Sequence, residues 1–179
     1  MIESSIAKEM QMAVLKQLKS TMVTTLLAAL IVCAGVAMVP HAAAQMAPPT
    51  VKKHLYPEID AAPADIKAAL VKAKREHKRI LLDFGGDWCG DCQVLDIYFN
   101  EAPNAQLLDK YFVKVNINIG HQDANLDIAH KYGVPVKGVP ALAILDANGK
   151  VVMSQDHEFS SMRNMPSSAV TDFLNKWKR

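Results

Sequence analysis

Two cysteines at the junction between a buried strand and a helix constrain this chain more than any other feature. Residues 80–84 form a near-continuous apolar run of strand length, as in a strand covered on both faces. Gly85 and Gly86 end the run, and a helical pattern begins at Cys89. Cys89 and Cys92 are three positions apart, so both sulfur atoms lie on one face of the first helical turn, close enough to bond.

This position favours redox chemistry. A helix N-terminus offers free N–H groups and about half a positive charge, which stabilise a thiolate. We therefore expect Cys89 to be the exposed nucleophile and Cys92 to be the resolving thiol. In such exchange, the first thiolate attacks a substrate disulfide and the second breaks the mixed disulfide.

Two other interpretations of the cysteine pair remain open. A structural disulfide across two residues would close a very small loop and add little stability. A zinc site would need two more ligands, and the candidates His121 and His130 lie far along the chain without metal-like spacing. We therefore predict a redox pair, with no metal and no cofactor.

The third cysteine, Cys33, belongs to a segment that resembles a secretory signal peptide. Lys16 and Lys19 precede an apolar run over residues 22–39, and an A-x-A site ends at Ala44. An uncleaved membrane anchor is an alternative, because the run is just long enough to span a bilayer. Acylation of Cys33 is less favoured, since bulky Val32 precedes it.

Cleavage after Ala44 divides the chain into a signal peptide over residues 1–44, a Pro- and Ala-rich tether over 45–63 and one domain over 64–179. We expect a periplasmic protein, with a membrane association only if the apolar run is retained. The formal net charge of +2 gives no reason to expect a nucleic-acid partner.

Hydrophobic periodicity predicts an α/β fold in which a helix precedes the first strand. A hairpin is predicted at Asn148-Gly149, and Ser167 is a candidate cap for the last helix. The predicted helices cover 64–77, 89–98, 124–132 and 167–177, and the predicted strands cover 80–84, 112–117, 141–145 and 150–154. Strands alternating with helices indicate parallel crossovers, and the hairpin adds an antiparallel edge.

Three separate motifs resemble the thioredoxin family. They are Leu82-Asp83-Phe84-x-x-Asp87-Trp88-Cys89-Gly90-Asp91-Cys92, then Lys131-Tyr132-Gly133-Val134, and then Gly138-Val139-Pro140. The resemblance covers about residues 64–179, and it implies a thioredoxin-like fold with a central mixed sheet, a terminal antiparallel hairpin and helices on both faces.

The resemblance also implies roles for residues around the cysteines. Asp83 matches a buried carboxylate whose pKa burial would raise, so that it could exchange a proton with Cys92 through water. Trp88 matches an aromatic residue that shields the nucleophilic sulfur. Lys114 matches a lysine near the buried acid, although an ordinary surface lysine is an equal alternative.

A second set of positions implies a surface for the substrate. Pro140 matches the cis-proline of the family, which would leave the backbone of Val139 free to pair with an extended polypeptide. Together with Trp88, the dipeptide Gly90-Asp91 completes the expected substrate-binding residues. We expect protein substrates that carry disulfides or thiols.

The dipeptide departs from the Gly-Pro of thioredoxins, and three acids, Asp87, Asp91 and Asp96, crowd the cysteines. Carboxylates disfavour a neighbouring thiolate, so we expect a reducing pair, closer to roughly −270 mV than to roughly −120 mV. A monomeric reductase supplied with electrons by a membrane donor is the leading hypothesis. An oxidase or isomerase with the same residues and, in a different class, a copper carrier are the alternatives.

Overall fold

The structure, a computed structural model, describes residues 54–178 of the 179-residue chain. The predicted signal peptide and residues 45–53 of the predicted tether lie outside the described residues. Within them, the regular elements are Ala62–Glu76 (α1), Arg79–Gly85 (β1), Gly90–Asn100 (α2), Asn104–Tyr111 (α3), Phe112–Asn118 (β2), Leu126–Lys131 (α4), Ala141–Leu145 (β3), Val151–Gln155 (β4) and Ser168–Trp177 (α5).

The four strands form one mixed sheet in the order β2-β1-β3-β4. Strands β1 and β2 are parallel, whereas β3 runs antiparallel to both β1 and β4. The predicted α/β fold with a mixed sheet and a terminal hairpin is therefore confirmed. The described sheet has one parallel pair, fewer than a simple alternation of strands and helices indicates, because β3 enters in the opposite direction.

Two hydrophobic cores lie on the two faces of the sheet. On one face, α1 packs its small and apolar side chains, such as Ile66 and Ala69, against alternate residues of β1, such as Leu82. On the other face, α2, α3 and α5 cover Leu81 and Leu142. The first strand is buried along its whole length because helices cover both sides, as its near-continuous apolar run predicts.

The hairpin between β3 and β4 turns at residues 146–149, where Gly149 adopts a positive φ of 85°. The amide of Gly149 donates to the carbonyl of Asp146 at 3.0 Å. Ser167 precedes α5 as predicted, but its side chain makes no capping hydrogen bond.

Two differences from the predicted elements matter for the site. Helix α3 was not predicted, because its eight residues carry too short a hydrophobic pattern. The described part of the predicted tether, residues 54–63, packs against the domain, since Tyr56 is buried and α1 already begins at Ala62.

Candidate active site

The cysteine pair lies at the carboxyl end of β1, where the chain enters α2. Cys89 and Cys92 form a disulfide, with their Cα atoms 5.2 Å apart. Cys89 is the N-cap of α2, and the amide of Cys92 donates to its sulfur at 3.0 Å. Neither sulfur-bearing residue is well exposed, but Cys89 keeps 4% of its surface accessible and Cys92 none. Cys89 is therefore the more accessible of the two, although its exposure is smaller than expected.

A buried carboxyl group lies beneath the disulfide. Asp83 and Gly85 are two residues apart on β1, so they face the same side of the sheet. Asp83 accepts a hydrogen bond from the hydroxyl of Tyr56 at 3.1 Å. The point where a Cβ of Gly85 would lie is 2.4 Å from that hydroxyl oxygen and 2.8 Å from the sulfur of Cys92. Only glycine leaves room for the hydroxyl and the sulfur to meet over the strand.

Burial sets the ionisation of this carboxyl group. Removal from water raises the pKa of Asp83 to about 6, although the charge of Lys114 and the hydrogen bond from Tyr56 oppose the rise. Burial and the nearby Asp83 also raise the pKa of the Tyr56 hydroxyl well above its usual value, so the phenol stays protonated and acts as the donor. A carboxyl group with a pKa near 6 can accept or return a proton close to neutral pH.

The chain before α1 delivers Tyr56 to this position. Asp87, two residues before Cys89, accepts hydrogen bonds from the amides of Leu55 at 2.7 Å and Tyr56 at 3.1 Å. From β2, the side-chain amide of Asn116 donates to the carbonyl of Leu55 at 2.8 Å. The segment is thus tied to the loop that carries the nucleophile and to the neighbouring strand.

Trp88 lies on the surface beside the disulfide, with 39% of its area exposed. Its indole N–H donates to the carbonyl of Gly120, and its ring stacks on that of His121 with centroids 5.2 Å apart. These two contacts fix the indole, so an aromatic surface borders the nucleophile.

The peptide bond between Val139 and Pro140 is cis, the isomer that the family resemblance implies. Both residues lie just before β3, the strand paired with β1. Gly90, in the dipeptide between the cysteines, is exposed.

Comparison with known proteins places this geometry in a family. A profile of thioredoxin-like proteins matches residues 61–147. A solved disulphide isomerase from Xylella fastidiosa shares 35% of its sequence with this chain at a TM-score of 0.66, over 70% of this chain and 98% of that one. This chain belongs to the thioredoxin-like family.

Curated thioredoxin-like relatives match over shorter stretches. A thioredoxin H-type from Chlamydomonas reinhardtii is 37% identical over 28% of this chain and 45% of its own length. The thiol:disulfide interchange protein DsbD 2 of Pseudomonas aeruginosa is 28% identical over 61% of this chain and 18% of its own length. The chain spans less than half the length of these two relatives. The match supports the chemical class of thiol–disulfide exchange.

The three acids around this thioredoxin-like site all have partners. This corrects the expectation that they crowd the cysteines with negative charge. Asp91 pairs with Arg163, whose guanidinium donates at 3.1 Å and whose amide donates at 2.9 Å. Asp96 pairs with Lys114 at 3.1 Å. The hydrogen bonds to Asp87, opposed by its burial, leave the pKa of that carboxyl lowered. The acids therefore do not form the uncompensated negative cluster that their spacing indicates, because their partners come from distant segments.

Two residues around the site, Tyr56 and Arg163, were not found from the sequence, and His121 was considered there only as a candidate metal ligand. Tyr56 lay in the predicted tether, where a single aromatic residue between prolines gave the one available signal. Arg163 lay in the long connection before α5, and His121 in the loop after β2. No local pattern connects these positions with the cysteines, because each arrives through tertiary folding.

Among residues 54–178, no three or more His, Cys, Asp or Glu side chains are grouped so that they could hold a metal ion. In the same part of the chain, no helix is long and apolar enough to cross a membrane. The apolar run over residues 22–39 lies outside that part.

Proposed function

We propose that this protein is an exported thiol–disulfide oxidoreductase that reduces disulfides of other proteins. One observation carries the proposal: the Cys89–Cys92 disulfide lies at the N-terminus of a helix, and the hydroxyl that donates to the buried carboxyl group of Asp83 shares the space over Gly85 with the Cys92 sulfur. A structural disulfide would not need Asp83 in an otherwise apolar strand, since a buried carboxyl group without a function is costly.

The residues support the following sequence of steps. In the reduced protein, the thiolate of Cys89 attacks a substrate disulfide, forms a mixed disulfide and releases one substrate thiolate. Asp83 takes the proton of Cys92 through the space over Gly85. The resulting Cys92 thiolate attacks the Cys89 sulfur, which releases the second substrate sulfur as a thiolate and leaves the Cys89–Cys92 disulfide; the released thiolate then takes a proton from solvent.

Charge balance at the nucleophile supports the reducing direction. Strong oxidases owe their potential to a reduced form that is specially stabilised. Arg163 lies beside Gly90, but its charge is compensated by Asp91. The helix N-terminus is then the main group that stabilises the Cys89 thiolate, which favours a moderate potential. The expected moderate potential thus rests on the pairing of Asp91 with Arg163, and no longer on unpaired acids around the cysteines.

The substrate surface is proposed on both sides of the nucleophile. Trp88 and the dipeptide Gly90-Asp91 adjoin Cys89 in the chain, and Val139, which keeps 8% of its surface accessible, precedes the cis bond to Pro140 at the start of β3. An extended segment of a protein substrate could pair with that backbone while its disulfide meets Cys89.

Export and electron supply complete the proposal. The signal-peptide pattern over residues 1–44 supports a periplasmic location, and cleavage after Ala44 would leave the predicted tether over 45–63 at the new N-terminus. Since that compartment is oxidising, a reductase there must be recharged by a donor in the membrane. N-terminal sequencing of the exported protein tests this part, and a chain that keeps residues 22–39 would overturn cleavage.

Insulin reduction by the purified protein tests the activity. We expect catalysed precipitation of the insulin B chain, complete loss of catalysis in Cys89→Ser, and a trapped mixed disulfide in Cys92→Ser. Equilibration with glutathione tests the direction, and a reduction potential above about −160 mV would refute a reductase. Tight stoichiometric Cu(I) binding without insulin reduction would instead support the copper carrier.

One observation favours a second function. The solved structure that shares 35% of its sequence is described as a disulphide isomerase. An isomerase of this kind would restore activity to scrambled ribonuclease without net reduction. We expect slow recovery at best, and recovery as fast as insulin reduction would favour the isomerase.

A further inference from the structure

The connection between β4 and α5, residues 156–167, is held firmly against the domain. Phe159 and Met162 are buried in the core on the α2 side of the sheet. The hydroxyl of Tyr98, on α2, donates to the carbonyl of Met165 at 3.2 Å. This connection is therefore a fixed part of the surface.

The connection contacts both halves of the active site. At one end, the amide of Arg163 donates to Asp91 at 2.9 Å, and the guanidinium lies 3.6 Å from the point where a Cβ of Gly90 would be. At the other end, the amide of Gly138 donates to the carbonyl of Asp156 at 3.2 Å. Gly138 is two residues before the cis-proline. The connection thus forms a wall beside both segments that a substrate would meet.

Two ion pairs along this wall share the same orientation. In the pair of Arg163 with Asp91, the side chain of the arginine is 60% exposed and that of the aspartate 11%. In the pair of Lys137 with Asp156, which are 3.3 Å apart, the corresponding values are 71% and 16%. In both pairs the carboxylate faces inward and the cation faces solvent. An approaching polypeptide therefore meets these two cations before their own carboxylates, while Glu158 is an exposed acid on the same connection.

We propose that Lys137 and Arg163 form a cationic rim that selects polypeptide disulfides flanked by Asp or Glu. The inference rests on the proposed function, because it names the class of substrate for the same cysteine pair. An acidic side chain next to the target cysteine would lie opposite Arg163 when the disulfide meets Cys89. The protein as a whole does not supply this preference, since its formal net charge is only +2.

The test measures single-turnover oxidation of the reduced protein by three peptide disulfides. The peptides differ only in the residues beside their cysteines, which are Glu, Gln or Lys. The two electrons come from the Cys89 and Cys92 thiols, so no further reductant is needed. Fluorescence of the tryptophans follows the reaction. We expect the Glu peptide to react about 3- to 10-fold faster than the Lys peptide at low salt, and this ratio to approach one at high salt.

Substitution of the two cations tests whether they cause the difference in rate between the Glu and Lys peptides. The double variant with Lys137→Gln and Arg163→Gln should bring the ratio of the Glu-peptide rate to the Lys-peptide rate close to one. Lys137→Gln alone should lower this ratio part of the way. Adding Asp91→Asn to the pair avoids leaving a carboxylate without its cation. Comparing two peptides on the same variant cancels any change in the reactivity of Cys89.

Lys74→Gln is the matched control, because it removes one exposed charge from the last turn of α1. That turn leads into the start of β1, at the opposite end of the strand from Cys89. The control should keep the wild-type ratio. Equal rates for the three peptides with the wild type, or a ratio that the rim variants do not change, would overturn the cationic rim while leaving the reductase intact. No reaction with any peptide would overturn the reductase and the rim with it.

Discussion

Carboxyl groups lie on two sides of the disulfide, and their surroundings give them opposite properties. Beneath Cys92, Asp83 is buried with a neutral phenol as its hydrogen-bond partner, and its pKa is raised to about 6. On the outer side, Asp91 and Asp156 face cations that extend into solvent, and the hydrogen bonds from His157 and Lys137, opposed by burial, lower the pKa of Asp156. Position in the fold therefore separates a buried acid whose raised pKa suits proton transfer from two acids that are held in ion pairs at the surface.

The largest expected effect concerns the ionisation of the buried acid. Folded protein retains the Asp83 proton up to about pH 6, whereas the unfolded chain releases it near 3.8, so the folded state binds more protons between these values. The free energy of unfolding should therefore fall as pH rises from about 4 to 6, by about 3 kcal/mol from this group. Asp83→Asn should abolish that part of the pH dependence. Urea unfolding between pH 3.5 and 7.5 measures it, and an unchanged slope in the variant would contradict a buried, titrating Asp83.

Gly85→Ala tests how tightly the buried side is packed. Its Cβ would approach the hydroxyl of Tyr56 to 2.4 Å and the Cys92 sulfur to 2.8 Å, so both must move. We expect a loss of about 2 kcal/mol in the free energy of unfolding. Gly90→Ala is the control on the rim side, where the nearest Arg163 atoms are 3.6 Å away, an ordinary contact. Equal losses in the two variants would mean that the two sides are not packed differently.

Tyr56→Phe removes the hydroxyl that donates to Asp83 and leaves the ring in place. Since that hydrogen bond lowers the pKa of Asp83, its loss should raise the pKa further and move the pH profile of the resolving step upward. A stability loss of about 1 kcal/mol should accompany it. Tyr98→Phe removes a hydroxyl that donates to a backbone carbonyl elsewhere, so its pH profile should not move. Matching profiles for the two variants would exclude a role of Tyr56 in positioning Asp83.

The smallest expected effect lies on the outer side. Asp91→Asn leaves the charge of Arg163 uncompensated beside the nucleophile. The thiolate should gain stability and the reduction potential should rise, by only about 10–20 mV because the pair is partly exposed. Glutathione equilibration measures the shift, and a fall in potential would mean that Asp91 does not compensate Arg163.

Much of the fold followed from local patterns. The near-continuous apolar run of β1 identified the central strand, and the Asn148-Gly149 turn identified the hairpin, because each pattern reflects burial or turn geometry within a few residues. Helix α3 was not predicted, because eight residues after a proline are too few for a clear hydrophobic periodicity. The start of the domain was predicted too late, because a Pro-rich sequence has no hydrophobic periodicity that would indicate the burial of Tyr56.

The sequence by itself determined the cysteine pair, its place at the N-terminus of α2 and the presence of an acid in an apolar strand. These features depend on neighbours within about ten residues. Tertiary structure alone decided which partners the acids acquired: Tyr56 for Asp83, the amides of Leu55 and Tyr56 for Asp87, and Arg163 for Asp91. Ionisation and surface charge depend on burial and on charges brought together from distant segments. The ionisation of each acid therefore could not be inferred from the local sequence.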